Sequence, residues 1–291
     1  MTCGNVPRMT IPAPVPRHFA RRAAWTATAL VASALFLFPL VVMVLGSLRL
    51  PGLAPPSELE LIPDPVTLEG WRRAFTLVPL ARSMLNSLLV AAIYTPVAVV
   101  VASWAGFGIA QLRGRWRQLL VGLVLVLLMI PVTAMWIPRF AIFEAAGLVG
   151  SYVPLLAPAL LGGSPFFVLL YAFAFRRIPG DVLDAARLEG AGPLHVWRRI
   201  AMPLVRSTTA AVAMLAFVQS WANFIDPLLY LDRESAYTAP LMLRFLETLG
   251  PTNWPVLLAG AAAVTAPVVL LFLVMQRFFL TEERGIGWIG R

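Results

Sequence analysis

The run Val121-Gly122-Leu123-Val124-Leu125-Val126-Leu127-Leu128-Met129 carries no charged residue, and it decides between the two ways a chain can cross a bilayer. Helices and closed β-barrels both satisfy every backbone group internally. A barrel strand, however, alternates apolar and polar residues over about ten positions. This run is apolar on every side except at Gly122, so it reads as helix and excludes a barrel. Working outward, the apolar segment 119–136 is joined by five more, at 25–48, 83–110, 152–175, 208–231 and 254–279. Each is long enough to cross roughly 30 Å of hydrocarbon as a helix. Composition agrees, because a chain that is 59% hydrophobic and only 13% charged is no ordinary soluble domain. The expected fold is all-α, a polytopic bundle of six transmembrane helices over residues 25–280, between short tails at 1–24 and 281–291.

Arginine placement predicts the orientation. All 23 basic residues are Arg, and sixteen of them fall in the N-terminal tail, the second and fourth connections and the C-terminal end. The other three connections hold seven, Arg49, Arg72, Arg73, Arg82, Arg139, Arg233 and Arg244, and there Glu58, Glu60, Asp64, Glu69, Glu144, Asp232, Glu234 and Glu247 offset them. The positive-inside tendency then puts both termini in the cytoplasm. A net charge of +9 needs no nucleic acid as partner, because arginines facing anionic headgroups account for it.

The first span is too long for the apolar core of a signal peptide, and no small-residue cleavage site follows it, so it is expected to stay in the chain. The tail before it is rich in Pro and Arg and is expected to be disordered, with Met9 a plausible start. Cys3 is the one cysteine, so it forms no internal disulfide and belongs to no metal-ligand cluster. The external stretch 49–81 carries six prolines, five of them in an extended first half, which Leu68-Glu69-Gly70-Trp71-Arg72-Arg73-Ala74-Phe75 follows. The spacing of Trp71 and Phe75 predicts a short helix lying in the outer headgroups.

The cytoplasmic connection 176–206 carries the most specific local chemistry. Pro179-Gly180 ends the fourth span, Asp181 suits an N-cap, and Asp184 three residues later suits a capping-box partner. Gly190 suits the left-handed position that closes a helix. Gly192-Pro193 starts a second helix with Pro at its first position, and Pro203 breaks the chain before the fifth span. Two short helices joined by a glycine elbow are expected, with Ala185 and Ala186 giving the first a bare surface for close docking. By local physics alone, the loop is equally well a capped connector.

The spacing Asp184-Ala185-Ala186, three residues, Gly190, nine residues, Ile200, one residue, Met202-Pro203 resembles the Glu-Ala-Ala signature of bacterial ABC importer permeases. Asp184 stands where the family has Glu, and Met202 where it has Leu. The resemblance extends over nearly the whole chain after the tail. Asn86-Ser87-Leu88-Leu89-Val90-Ala91, Met129-Ile130-Pro131, Gly147-Leu148-Val149 with Tyr152, and Ser220-Trp221 with Phe224 and Pro227-Leu228 are similar to the maltose-type carbohydrate branch. Polyamine and other solute permeases share several of these features, and the end 285–291 only loosely resembles the glycine-rich tail of sugar permeases. The resemblance implies a type I importer permease in the bacterial inner membrane that forms half of a pathway. Its implied partners are a second homologous permease, two ATPase subunits and an extracytoplasmic solute-binding protein docking on the outer loops. In that family the loop carrying Asp184, Ala185, Ala186, Gly190, Ile200 and Pro203 seats in the ATPase and transmits its closure.

An independent argument puts the energy source elsewhere. A P-loop needs a Lys at the nucleotide phosphates, and this chain has no Lys, so Mg-ATP is expected on the partner subunits and no cofactor, metal or catalytic residue on this one. Polar residues inside the spans are candidates for the solute path, namely Asn86, Tyr94, Ser103, Ser164, Tyr171, Gln219, Ser220, Asn223 and Asp226. Among them Gln219, Asn223 and Asp226 follow helical spacing and are expected to share one face, suited to sugar hydroxyls. Hydrogen bonding between helices is the structural alternative for each. An ion-coupled carrier would need charged relays deep in the spans, which this sequence barely offers. A hydrolase would need His18 or His195 near a buried Ser or Asp, and neither lies in a span.

Overall fold

The structure, a computed structural model, describes residues 17–55 and 62–280, and every regular element among them is helical. Met9, Cys3 and the end 285–291 lie outside these residues. Four helices are long and apolar enough to cross a membrane, and six spans result if each of two sharply bent helix pairs counts as one. The first helix, α1 (Arg17–Ser47), begins eight residues before the expected span, so residues 17–24 of the expected disordered tail are helical. The short helix α2 (Glu69–Thr76) follows, and then the central span α3 (Leu80–Gln111).

The third span departs from expectation. Residues 119–136 do not form one helix, because α4 (Gly114–Met129) stops before Pro131 and α5 (Trp136–Ala145) leaves at 85° to it. Ile130 is extended at ψ 119°, the conformation a following proline enforces. The fourth span, 153–176, crosses as one segment but is irregular, with α6 (Val153–Leu156), a tight turn, and α7 (Pro165–Arg176), which Ser164 caps by accepting from the Phe166 N–H at 3.3 Å. Then come α8 (Gly180–Leu188), α9 (Pro193–His195), a π-helical stretch Val196–Ala201, and α10 (Met202–Leu204). Pro203 has no N–H to offer the carbonyl four residues before it, and the helix turns by 88° at Val205 into α11 (Arg206–Trp221). The chain closes with α12 (Ile225–Tyr230), α13 (Ala239–Glu247) and α14 (Trp254–Leu280).

Beside a small cluster of Val90, Leu155, Tyr230 and Leu231, two larger cores hold the bundle. One joins α3 and α7 through Tyr94, Ala98, Ala102, Phe107, Phe167, Tyr171 and Phe175, and it continues into α11 at Val212 and Ala216. The other gathers α2, α13 and α14 around Leu80, Trp221, Met242, Leu246 and Val256. The outer flanks of α1 and α4 stay exposed and apolar, as lipid-facing surfaces do. The α2 helix does not lie free in the headgroups. Gly70 and Ala74 are buried on its inner face, and the Trp71 Nε1–H donates to Ser47 Oγ at 3.0 Å.

Candidate functional site

The elbow after α8 is built as a Schellman motif. Gly190 adopts φ +85°, its N–H donates to the Arg187 carbonyl at 3.0 Å, and the Ala191 N–H donates to the Ala186 carbonyl at 3.0 Å. Gly192 caps the next helix with Pro193 at its first position, as expected. Two details differ from the sequence reading. The N-cap is Pro179, with Asp181 inside the first turn, where its charge meets the positive end of the helix dipole. Asp184 closes no capping box; its Oδ1 accepts from Arg187 Nη1 at 2.8 Å, and Arg187 Nη2 reaches Gln111 Oε1 at the end of α3.

The faces of α8 divide sharply. Leu183 and Ala186 are buried in the core of α3 and α7, together with Val196, Trp197 and Ala201 from the following segment. The expected bare surface is therefore only half present. Ala185 is exposed while Ala186 is packed, because residues one apart on a helix point about 100° apart. Val182, Ala185 and Leu188 face outward, with Leu188 90% exposed. Ile200 is half-buried and Pro203 exposed beside the turn into α11.

A second polar group lies where α5, α6 and α12 meet. Helix α11 stops at Trp221, so Gln219, Asn223 and Asp226 do not share the helical face their spacing suggests. Gln219 is exposed on α11, Asn223 sits in the break, and Asp226 opens α12. Asn223 and Asp226 clasp each other. The Asn223 Nδ2–H donates to Asp226 Oδ2 at 2.9 Å, and the Asp226 backbone N–H donates to Asn223 Oδ1 at 3.2 Å. Arg139 of α5 completes the group, with Nη2 3.4 Å from Asp226 Oδ2 and 3.5 Å from the Pro154 carbonyl. Asp226 is buried, and the aromatic rings of Phe140, Phe143 and Tyr230 pack alongside.

Three of the other six candidate polar residues are satisfied at home. The Asn86 Nδ2–H group donates to the carbonyls of Ser235 and Tyr237 at 3.0 Å each, and Ser103 Oγ donates to the Val100 carbonyl at 2.9 Å. Ser164 is the cap of α7.

The family model described as "Binding-protein-dependent transport system inner membrane component" matches residues 95–281, a stretch that spans α7, the elbow, α11 and α14. The chain belongs to that family. This inner membrane component is 28% identical over 274 residues to the arabinooligosaccharides transport system permease protein AraQ of Bacillus subtilis (strain 168), covering 91% of this chain and 95% of that one. It is 27% identical over 260 residues to the lactose transport system permease protein LacG of Rhizobium radiobacter, covering 88% and 92%. Its fold matches a chain of the crystal structure of a bacterial ABC transporter involved in the import of the acidic polysaccharide alginate, with TM-score 0.74 and 17% identity, over 93% of this chain and 100% of that one.

Three residues of this inner membrane component at these two places escaped the sequence reading. Gln111 and Arg187 look like ordinary solvated ends of helices, and only the fold brings them together. Arg139 did leave a signal. It sits three residues past the expected third span, between Trp136-Ile137-Pro138 and Phe140-Ala141-Ile142-Phe143, and an arginine inside so apolar a stretch needs a partner.

Proposed function

We propose that this chain is the permease subunit of an ATP-driven sugar importer, paired with a second permease and driven through α8 by separate ATPase subunits that bind Mg-ATP. A solute-binding protein delivers sugar at the far end, and both termini lie in the cytoplasm of a bacterium. The observation that carries the coupling role is the divided α8. Its outer face, Val182, Ala185 and Leu188, is free for a partner, while Leu183 and Ala186 belong to the core of α3 and α7. A push on the outer face therefore reaches two spans as one packed body, and packed cores switch between discrete arrangements rather than deform. Sugar as the solute is supported by the relatives named for arabinooligosaccharides and lactose. Gln219, Asn223 and Asp226 supply the hydroxyl-binding groups along the path once the far end opens.

The elbow tests the proposal. Gly190→Val forces a β-branched side chain into a left-handed backbone, at a cost of about 1–2 kcal/mol, in a spot where no neighbouring atom lies within 4 Å of the added Cβ. The strained elbow reorients α8 without disturbing the bundle. In the reconstituted importer, solute-stimulated ATP hydrolysis is expected to be lost while membrane insertion stays normal. Undiminished stimulation in this variant would remove α8 from the coupling role.

A further inference from the structure

Two helix breaks meet at one ion pair. Pro131 turns the third span so that α5 carries Arg139 away from the axis of α4, and α11 ends at Trp221, before the break at 222–224 and the helix α12 that presents Asp226. Arg139 and Asp226 come from segments 87 residues apart, and their side chains are 22% and 11% exposed. Neither charge has another ionic partner among the described residues. In so apolar a setting an unpaired charge is costly, and the two hold each other for that reason. The surroundings are closed as well. Phe140 stacks on Tyr230 with ring centres 6.0 Å apart, Phe143 meets the same ring edge-on at 5.5 Å, and the Gly150 N–H donates to the Tyr230 carbonyl at 2.7 Å.

We infer that Arg139 is a positioning residue for transport, a latch that pins α5 to the start of α12 and keeps the Asn223 and Asp226 side chains turned away from solute until the far end opens. The inference rests on the transport reading above and assigns a state to the residues placed there. In this conformation Asp226 Oδ2 already accepts from both Asn223 and Arg139, so the withdrawal of Arg139 frees one of its acceptor positions for a solute hydroxyl. Parting α5 from α12 frees an acceptor on Asp226, to which Asn223 stays clasped. The latch thus links the opening of the far end to the exposure of a sugar-binding acceptor. Its strength biases the balance between closed and open states, which a difference of a few kcal/mol governs.

The test uses the complete transporter, with its ATPase and binding-protein subunits, reconstituted in lipid vesicles. Wild-type complex first establishes that the binding protein with sugar stimulates ATP hydrolysis; without that stimulation it is the transport reading that fails, not the latch. In Arg139→Gln, hydrolysis without binding protein is expected to rise by at least about fivefold, the low end of couplings between distant sites. The charge exchange Arg139→Asp with Asp226→Arg is expected to bring it back down. If Arg139→Gln does not assemble, the paired Arg139→Met with Asp226→Leu removes both charges while keeping bulk, and the same rise is expected. Unchanged basal hydrolysis in an assembled variant overturns the latch. A raised KM for sugar with unchanged basal hydrolysis also overturns it and makes Arg139 a solute contact.

Discussion

Glu69 holds two arginines at once. Its carboxylate accepts from Arg72 Nε at 2.8 Å and Nη2 at 2.7 Å, and from Arg73 Nε at 2.8 Å, one and the same turn of α2 supplying all three donors. The hydrogen bonds from Arg72, and after them those from Arg73, bring the carboxyl from its ordinary 4.5 down to about 2. Folding lowers this pKa, so the stabilisation is complete above 4.5 and disappears as the pH falls through about 2. In protein labelled with carbon-13 at glutamate, the Glu69 carboxyl signal is expected to titrate near 2, and a midpoint near 4.5 would mean the clasp does not form. The pairing was open to sequence reading, because acid and base three and four apart on a helix are neighbours. The pairing of Arg139 with Asp226 was not, since nothing local relates two residues whose segments meet only after both spans have bent.

The packing of α3 on α7 depends on small residues that let two backbones approach. Ala98 and Ala102 are fully buried there, and a Cβ built on Gly106 would lie 2.5 Å from Tyr171 Cβ and 2.8 Å from the Ala172 backbone nitrogen. Interhelical contacts in membranes favour such residues because close van der Waals packing replaces the missing hydrophobic drive. Gly106→Ala is expected to cost about 1–3 kcal/mol by overpacking and to lower the melting temperature of the detergent-solubilised protein. Gly108→Ala, on the same helix with no atom within 4 Å of the new Cβ, is its control and is expected to melt no lower than wild type. Equal melting of the two variants would disprove the close approach. At this scale the helical spans, the glycine elbow and the helix at 69–76 were legible, since each follows from composition, capping or spacing. The breaks were legible only as prolines. Pro39, Pro96 and Pro267 lie inside continuous helices, whereas Pro131 ends one. Whether neighbours re-satisfy the freed carbonyl decides between those outcomes, and that is a tertiary matter.

Across the whole molecule, α3 runs through the middle of the bundle with one end tied to α8 through Gln111 and Arg187 and the other tied to the connection before α13 through Asn86. The α8 elbow and the Asn86 contacts therefore sit at opposite ends of α3. The orientation of the bundle is testable with the chain made from Met1, whose one cysteine is Cys3. A membrane-impermeant thiol reagent is expected to label Cys3 in inside-out vesicles and to leave it unlabelled in right-side-out ones; the reverse pattern would invert the proposed topology. Hydrophobicity and arginine placement alone determined that this is a helical membrane protein with about six spans, because the bilayer acts on every residue of a span regardless of its neighbours. Capping chemistry alone determined the elbow at Gly190, because its hydrogen bonds close within a few residues. Only the tertiary structure decided that Ala186 packs inward while Ala185 stays free, that Gln219 parts from Asn223 and Asp226, and that Arg139 answers Asp226. Each of those depends on where a broken helix points, and that direction is set by the surfaces it packs against rather than by the residues at the break.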